Sequence, residues 1–391
     1  MKVDVAIIGG GPAGLSFARA LSGCGLAVAV VEQQGHDALA DPAFDGREIA
    51  LTHASRRIME ELGLWERLPA EEISPLRDAK VMDGPSLFAM KISASASGHD
   101  QLGFLVPNHL IRKAAFESLM AAGEATLLAG VRLVSLERRA EDVLLTLSDG
   151  TTIETRLLVA ADSRYSETRR MLGIGAASRD FGRTMMVCRV EHELPHDHVA
   201  WEWFGYGQTL AMLPLNGNRA SAVLTLPEHE MKATMALDDE AFGQAITARY
   251  DGRLGRMRVI STRHSYPLVG VYAHHFAGTR AALIGDAAVG MHPVTAHGFN
   301  FGLQSAERLS SRMRKAIEGG RDFAANALLA DYERSHRLAT FPLYQGTNVI
   351  ASLYTDDSGP ARLLRKAALH VADRLSPVKR AIAAHLTQSV A

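Results

Sequence analysis

The sequence predicts an α/β protein in which a parallel-sheet domain is interleaved with a mostly antiparallel β-sheet domain and followed by a helical C-terminal region. Three observations lead to this prediction. The N-terminus alternates buried-strand and helical patterns, the middle of the chain has successive strand patterns without helices between them, and a buried-strand pattern returns near Thr279. From Asn300 onward the apolar residues recur mostly at helical spacing.

Length, charge and cysteine content indicate the broad class of protein. A chain of 391 residues is long for one core, and its 47% hydrophobic and 22% charged residues are typical of a globular enzyme. The 42 basic and 43 acidic residues nearly cancel, which argues against a nucleic-acid partner. Cys24 and Cys188 have no metal-type spacing, and the N-terminus has no signal-peptide or membrane-span pattern. We therefore expect buried free thiols, no metal site and a cytoplasmic location.

The N-terminal segment has the pattern of strand, helix and strand. Residues 3–8 form a continuous apolar run, helical spacing follows, and the run "LAVAVVE" ends on Glu32. Gly9-x-Gly11-x-x-Gly14 lies between the first strand and the helix, where it allows a tight turn, close approach of a pyrophosphate and close helix packing. Glu32 is placed to accept hydrogen bonds from ribose hydroxyls. The segment predicts a Rossmann-like dinucleotide site, without deciding between a nicotinamide and a flavin.

Further strands are expected in the middle of the chain. Residues 126–162 have the pattern of a three-stranded meander with a turn at residues 148–150, and its last strand should return to the main sheet. A second sheet is expected from four consecutive strand patterns, at residues 183–191, 199–204, 208–215 and 219–226.

Two later segments carry further motifs. "LLVAADSRYSETRR" places Asp162 after a buried strand, and "LIGDAAVGMHPVTAHGFNFGL" places Gly285 and Asp286 after another. With the N-terminal glycines, these segments resemble the three landmarks of the flavin-dependent aromatic hydroxylases that have the para-hydroxybenzoate hydroxylase fold. Segments such as "FDGREIALTHASRRIMEELGLWERL" are similar to those of the ubiquinone-biosynthesis hydroxylases, and the pairing of "ADSRYS" with "HPVTAHGFN" is similar to the UbiM branch.

The resemblance implies a glutathione-reductase-type FAD-binding domain interleaved with a substrate domain. FAD would be held without a covalent bond, NADH or NADPH would reduce it, and molecular oxygen would be the co-substrate. The expected domain bounds are residues 1–73, 101–180 and 274–320 for the FAD-binding domain, 74–100 and 181–273 for the substrate domain, and 321–391 for the C-terminal helical region.

The resemblance also implies a set of cofactor-binding residues, most of them in the three motifs. They are Gly9, Gly11, Pro12, Ala13, Gly14, Glu32, Arg47, Asn108, Val131, Asp162, Gly285, Asp286, Pro293, Gly298, Phe299 and Asn300. Alternatives stay open for three of them. Arg47 is otherwise a surface arginine, Asn108 a plain helix N-cap, and Asp286 an N-cap in addition to a cofactor ligand.

The loop before the helix at Gly298 departs from the family. The helix would direct its positive end at the N1–C2=O edge of the flavin. Ala296-His297 stands where the family has Gly-Gln, Ser163 replaces a glycine, and Val289 replaces a histidine. His297 is our candidate catalytic residue, since its imidazole would lie beside the flavin and titrates near neutrality. A role in holding the loop in shape stays equally open.

The implied reaction is hydroxylation of a phenolic ring through a flavin C4a-hydroperoxide, which requires exclusion of water. The candidate substrate-binding residues are Trp201, Trp203, Phe204, Leu210, Met212 and Pro214. For each of them, the alternative is ordinary core packing. Their apolar character favours a prenylated phenol, such as a polyprenylated ubiquinone-biosynthesis intermediate. A hydroxylase of a small soluble aromatic, a flavin-dependent prenyl reductase and a non-catalytic prenyl carrier stay open as alternatives.

The C-terminal tail, residues 360–391, is basic. Its apolar residues recur at roughly helical spacing, and Asp373 is its one acidic residue. Either the tail is a solvated helix pair, or it is an amphipathic surface that meets the inner face of a membrane or a biosynthetic complex. Its basic residues are Arg362, Arg365, Lys366, Arg374, Lys379 and Arg380.

Overall fold

The computed structural model describes residues 1–86, 88–292, 298–355 and 358–375, together with residues 379, 383, 384 and 387. The strands are β1 (Lys2–Ile8), β2 (Val28–Glu32), β3 (Glu48–Leu51), β4 (Ser74–Leu76), β5 (Asp78–Asp83), β6 (Ala89–Ser93), β7 (Gly103–Pro107), β8 (Ala125–Ala129), β9 (Leu133–Arg138), β10 (Val143–Leu147), β11 (Thr152–Ala160), β12 (Ala176–His192), β13 (Val199–Phe204), β14 (Thr209–Pro214), β15 (Arg219–Pro227), β16 (Met257–Val259), β17 (His264–Ala273), β18 (Ala277–Gly278), β19 (Ala281–Leu283) and β20 (Val289–Gly290). The helices are α1 (Pro12–Ala20), α2 (His36–Ala40), α3 (His53–Glu61), α4 (Asn108–Ala122), α5 (Glu167–Met171), α6 (Glu228–Met235), α7 (Asp239–Arg249), α8 (Gly298–Glu318), α9 (Asn326–Thr355) and α10 (Gly359–Arg374).

The first sheet has the strand order β18-β19-β11-β1-β2-β8. We call it the parallel sheet, because β1 pairs in parallel with β2 and β11, and β8 and β19 extend it in the same direction. The strand, helix and strand expected at the N-terminus are β1, α1 and β2. Residues 126–162 form four strands, not three, because β8 joins β2 while β9, β10 and β11 form the meander. As expected, β11 returns to the main sheet.

The second sheet, called here the antiparallel sheet, has nine strands in the order β20-β17-β12-β15-β14-β13-β5-β6, with β16 beside β12. Its pairs are antiparallel except for β13 with β5. The chain enters this sheet first at β5 and β6 and again at β12, which is the interleaving that the sequence predicts. The strand expected at 183–191 is longer, Ala176–His192, and continues past residue 180 through an irregularity between Asp180 and Thr184.

The two faces of the antiparallel sheet have different neighbours. One face packs against α6 and α7 around a core that includes Met186, Leu224 and Phe242. Val187 and Arg189 alternate along β12 with the residues of that core, so their side chains lie on the opposite face of the sheet. They point toward β3 and the segment before it. A Cβ built on Gly46 would lie 2.8 Å from the Val187 side chain. The second face is therefore turned toward the three-stranded sheet β3-β7-β4.

Helices α9 and α10 provide the helical C-terminal region that the sequence predicts. None of the helices in the described ranges combines the length and apolarity needed to cross a bilayer. Leu369 of α10 packs with Met90 and Ile92 of β6, on the second face of the antiparallel sheet. Arg365 is fully buried, and its Nε lies 3.2 Å from the Asp83 carboxylate at the end of β5. The ion pair therefore attaches α10 to the antiparallel sheet.

Asp83→Asn is expected to lower the free energy of unfolding by about 3 kcal/mol, because it removes a negative charge that lies against the buried Arg365 guanidinium. Urea unfolding of the full-length protein measures the change. Asp78→Asn on the same strand is the matched control, since its partner Lys91 is 57% exposed and the pair should contribute under about 1 kcal/mol. Equal losses in the two variants would contradict a stabilising role for the Arg365–Asp83 pair.

Candidate active site

The glycine motif forms the turn between β1 and α1. Gly9 has φ of +115°, and a Cβ on it would overlap the carbonyl group of Ala161 at the end of β11. A Cβ on Gly14 would overlap the carbonyl oxygen of Gly9. Both positions therefore require glycine, the first for its backbone conformation and the second for the close packing of α1 on β1.

Open space lies at the N-terminus of α1, beside the end of β2. Gly11 is the N-cap of α1, and a Cβ on it would meet no protein atom within 4 Å. Glu32 accepts hydrogen bonds from the backbone N–H groups of Gly10 at 2.6 Å and Gln34 at 2.8 Å. Its own backbone carbonyl accepts from Val131 N at 3.1 Å. The Glu32 carboxylate is thereby fixed at the edge of the glycine turn.

The Asp162 segment is fastened to the Asp286 segment. Asp162 accepts hydrogen bonds from Ser166 Oγ at 2.5 Å and from Thr168 N at 3.2 Å, which holds its own turn in shape. The guanidinium of the buried Arg169 donates to the carbonyl oxygen of Ala287 at 2.8 Å. The two family motifs, more than 100 residues apart in sequence, therefore meet at the carboxyl ends of β11 and β19.

Asp286 is held by an arginine that the sequence analysis did not select. Arg164 donates from Nη2 to Asp286 Oδ2 at 3.1 Å and from Nη1 to the carbonyl oxygen of Val269 at 3.0 Å. Asp286 keeps 36% of its side chain exposed. It is not the N-cap considered above, because Ile284 caps the short turn that contains it. Arg164 stands inside the motif "ADSRYS", so its basic side chain beside Asp162 was the available signal.

Arg47 and Asn108 share one carboxylate. Asp45 accepts from Arg47 Nη2 at 2.6 Å and from Asn108 Nδ2 at 2.7 Å, and its backbone carbonyl accepts from Tyr266 Oη at 2.7 Å. Burial raises the pKa of Asp45, but the bonds from Arg47 and Asn108 outweigh it and hold that pKa below its ordinary value. Asn108 is thus no N-cap, and sequence reasoning missed Asp45 within its own quoted segment "FDGREI".

Helix α8 begins beside β3. Asn300 is buried, accepts from Thr52 N at 3.1 Å and donates to the carbonyl oxygen of Ala50 at 2.9 Å. Phe299 packs partly buried against the core of the parallel sheet. A Cβ on Gly298 would meet no atom of the described residues within 4 Å. Asn300 therefore positions the N-terminus of α8 through β3.

Close packing brings α8, α1 and the Asp286 turn together. Gly285 has φ of +60°, and a Cβ on it would lie 3.0 Å from the Cβ of Ala13. Its backbone N–H donates to Ser305 Oγ at 3.0 Å. Pro12 is the first residue of α1, where its missing N–H costs no helix bond. The N-terminal parts of α1 and α8 therefore lie on either side of the Gly285 turn.

Two of the predicted residues, Pro293 and His297, lie outside the described residues. Their roles stay predictions. His292, the last residue before them, packs edge-to-face on Phe181 with ring centroids 4.7 Å apart. Burial, and secondarily the charge of Arg164, lowers the pKa of His292 to about 4. Its imidazole is therefore neutral at physiological pH.

Most of the predicted substrate-binding residues face the helices of the antiparallel sheet. Pro214 shares a face with Leu210 and Met212 by strand alternation, whereas Phe204 points to the opposite face. The core between the sheet and helices α6 and α7 contains Trp201, Trp203, Leu210 and Met212. These four side chains take the ordinary core packing that was their alternative, because α6 and α7 cover that face.

The arrangement fits a flavin dinucleotide. Free backbone N–H groups and the positive dipole end of α1 suit a pyrophosphate at Gly11, and the Glu32 carboxylate suits ribose hydroxyls. The N-terminus of α8 at Gly298 offers a second positive dipole end, where reduction of a flavin ring places negative charge. The Cys, His, Asp and Glu residues in the described ranges form no group that could hold a metal ion.

Comparisons with known proteins agree with this site. A family model described as "FAD binding domain" matches residues 2–342. The chain is 44% identical over 388 residues to ubiquinone hydroxylase UbiM of Neisseria meningitidis, covering 98% of this chain and 84% of that protein. It is 37% identical over 383 residues to ubiquinone hydroxylase UbiL of Rhodospirillum rubrum, covering 98% and 89%. The solved structure of p-nitrophenol 4-monooxygenase PnpA from Pseudomonas putida shares the fold, with a TM-score of 0.79, 18% identity and full coverage of both chains.

The fold and the site define an FAD-dependent aromatic monooxygenase. The chain belongs to the FAD-binding family of hydroxylases and, within it, to the ubiquinone hydroxylases. The predictions of family, fold class, enzyme class and FAD as cofactor are thereby confirmed.

Gly11→Ala is expected to reduce FAD affinity by roughly tenfold or more, since its methyl group enters the space expected for the pyrophosphate. Because no protein atom is near, the stability of the FAD-free protein should not change. Gly14→Ala should lower both quantities, as its methyl group overlaps the backbone of Gly9. Fluorescence titration with FAD and thermal unfolding of the FAD-free protein separate the two effects.

Gly346→Ala is the control for a glycine substitution in open space, away from the motif. It should leave FAD affinity unchanged. The interpretation fails if Gly11→Ala binds FAD as tightly as the unaltered protein.

Proposed function

We propose that the protein hydroxylates the ring of a polyprenylated phenol, an intermediate of ubiquinone biosynthesis, with FAD, NADH or NADPH and molecular oxygen. The observation that supports this most directly is that the N-terminal parts of α1 and α8 meet beside the Gly285 turn, where Cβ atoms built on Gly285 and Gly302 would lie 3.0 Å and 3.6 Å from the Cβ of Ala13. The names of the relatives from N. meningitidis and R. rubrum support the substrate class.

Bound FAD, once reduced by the nicotinamide, would supply the activation of oxygen. The residues of this chain bind and shield it. Gly11 and the α1 N-terminus would hold the pyrophosphate, Glu32 would hold the adenosine ribose, and Asp286 with its partner Arg164 would hold the ribityl chain. The antiparallel sheet would exclude water, because activated oxygen that is exposed to water is lost as peroxide.

A prenylated substrate fits the second face of the antiparallel sheet better than a soluble aromatic acid. Across the three neighbouring strands β12, β15 and β14, the paired residues on this face include Val187, Val223 and Ala211. These side chains are apolar and offer no cation to a carboxylate. Arg189 on the same face is engaged by Glu48 at 2.8 Å and Glu72 at 2.9 Å.

We also propose that α9 and α10 bind an anionic membrane surface from which the prenyl chain is drawn. Six of the fourteen large apolar side chains that are exposed in the described ranges lie on these two helices. On α10 and at its C-cap, Leu363, Val371 and Leu375 are 71%, 56% and 47% exposed and follow one another at spacings of eight and four residues. Exposed Arg374 lies beside them, which suits anionic headgroups. The buried Arg365 does not contribute to this surface.

The proposed reaction is tested with the FAD-loaded protein, 2-farnesylphenol, NADH or NADPH, and isotopically labelled oxygen. The expected product carries one labelled oxygen atom, in the new hydroxyl group on its ring, because that oxygen atom derives from molecular oxygen. Gly11→Ala is the control for dependence on bound FAD. Mass spectrometry of the product identifies the ring position.

Other outcomes favour the alternatives. Preferential hydroxylation of a small aromatic acid would replace the substrate class, and a saturated prenyl chain without oxygen consumption would indicate a reductase. A colourless protein that binds 2-farnesylphenol without turnover would indicate a carrier. Deletion of the gene in its host tests the pathway, and an unchanged quinone profile would contradict the proposed substrate.

Leu363→Ser with Val371→Ser is expected to reduce binding to phosphatidylglycerol vesicles by about tenfold or more, because two apolar side chains no longer enter the bilayer. Vesicle sedimentation measures the bound fraction. Val134→Ser is the matched control, since Val134 is 46% exposed but lies on β9. Unchanged vesicle binding by the double variant would rule out this surface.

A further inference from the structure

Glu202 is a carboxylate in an apolar row that crosses the antiparallel sheet. It lies in the middle of β13, and its direct neighbours are Ala211 on β14 and Val81 on β5. The row continues through Val223 on β15 to Val187 on β12. Side chains of directly paired residues share a face, so Glu202 points to the same side as these apolar neighbours.

This row is turned toward the FAD site. At one end, Val187 contacts Gly46, just before β3, and β3 also fixes the N-terminus of α8 through Asn300. Glu202 stands three strand spacings from Val187, roughly 14 Å. At the other end, Val81 packs in the cluster that includes Leu369 of α10. Glu202 therefore faces the space between the FAD-binding strands and α10.

The Glu202 carboxyl group has no partner within the described part of the chain. No hydrogen bond or ion pair joins it to another described residue. Glu202 is partly exposed, so its carboxyl group is accessible to a ligand. Burial raises its pKa to about 8, so the group is mostly a neutral carboxylic acid at pH 7.

We propose that the Glu202 carboxyl group binds the ring hydroxyl of the phenolic substrate. This inference rests on the proposed function and adds the residue that selects a free phenol. A neutral carboxylic acid both donates and accepts a hydrogen bond, and a phenol hydroxyl does the same, so the pair satisfies both groups. An unsatisfied buried polar group is costly, which explains why the carboxyl group favours a substrate with a hydroxyl over one without.

The test measures binding to the oxidised, FAD-loaded protein without NADH or NADPH, so no turnover is involved. The probes are 2-farnesylphenol and its methyl ether, which cannot donate a hydrogen bond. Binding is followed by the change in flavin absorbance. The unaltered protein should bind the phenol about tenfold more tightly than the ether, and Glu202→Leu should bind the two with similar affinity.

Thermal unfolding of the substrate-free protein gives a second, independent readout. Glu202→Leu removes a partly buried carboxyl group to which no described residue bonds, so its unfolding temperature should rise or stay the same. Glu202→Gln retains a donor and an acceptor and should keep part of the preference for the phenol. Glu191→Gln is the matched control, since it removes an exposed carboxylate of the same sheet and should keep the full preference.

A preference for the phenol that persists in Glu202→Leu overturns the inference. A large loss of stability in Glu202→Leu with unchanged binding of both probes would assign Glu202 a structural role and overturn it as well. Failure of the proposed function is recognised separately, because it is seen in the unaltered protein as binding without hydroxylation. The binding comparison remains valid in that case.

Discussion

The buried contact between Arg189 and Glu48 fixes the antiparallel sheet over the small sheet of β3, β7 and β4. Glu48 is the first residue of β3, its side chain is fully buried, and Arg189 bridges it to Glu72. Burial raises the pKa of Glu48 to about 7, more than the charge of Arg189 lowers it, whereas Arg189 stays charged between two carboxylates. Because its folded-state pKa exceeds the ordinary value, ionisation of Glu48 destabilises the fold as pH rises toward 7. The contact is therefore better explained by alignment of the two sheets than by stability.

Strand β3 joins that contact to the cofactor site. Its first residue holds the antiparallel sheet, and its later backbone groups, at Ala50 and Thr52, hold Asn300 at the start of α8. Asp45, which precedes β3 in the chain, accepts hydrogen bonds from the side chains of Arg47 and Asn108. One short segment therefore sets both the position of the helix that would face the flavin ring and the position of the sheet that would cover it. A displacement of β3 would open the site to water, which this chemistry cannot tolerate.

The sequence predicted what local rules determine. The turn at Gly9, Gly11 and Gly14 follows from backbone sterics, and the buried strands follow from continuous apolar runs. The sequence could not determine which face of the antiparallel sheet meets the first domain. The alternation of side chains along a strand defines two faces, but it does not show which elements pack on each face. Trp201 and Trp203 were predicted to bind the substrate because of their apolar character, but they pack in the core between the sheet and helices α6 and α7. Arg164 was missed because its partners, Asp286 and Val269, are distant in sequence. The links of Asp45 to Asn108 and Tyr266 were missed for the same reason.

Asp83 and Glu202 lie on neighbouring strands, on the second face of the antiparallel sheet, but their surroundings give their carboxyl groups different roles. Asp83 ends β5 and lies against the Arg365 guanidinium, so its charge attaches α10 to the sheet. Glu202 on β13 has no such cation and is mostly protonated. The ion pair of Asp83 is typical of a structural contact. A carboxyl group without such a cation, like that of Glu202, is typical of a group that binds a ligand. The neighbouring strands β5 and β13 thus carry one carboxylate that attaches α10 to the sheet and one that is not engaged by a cation of the described residues.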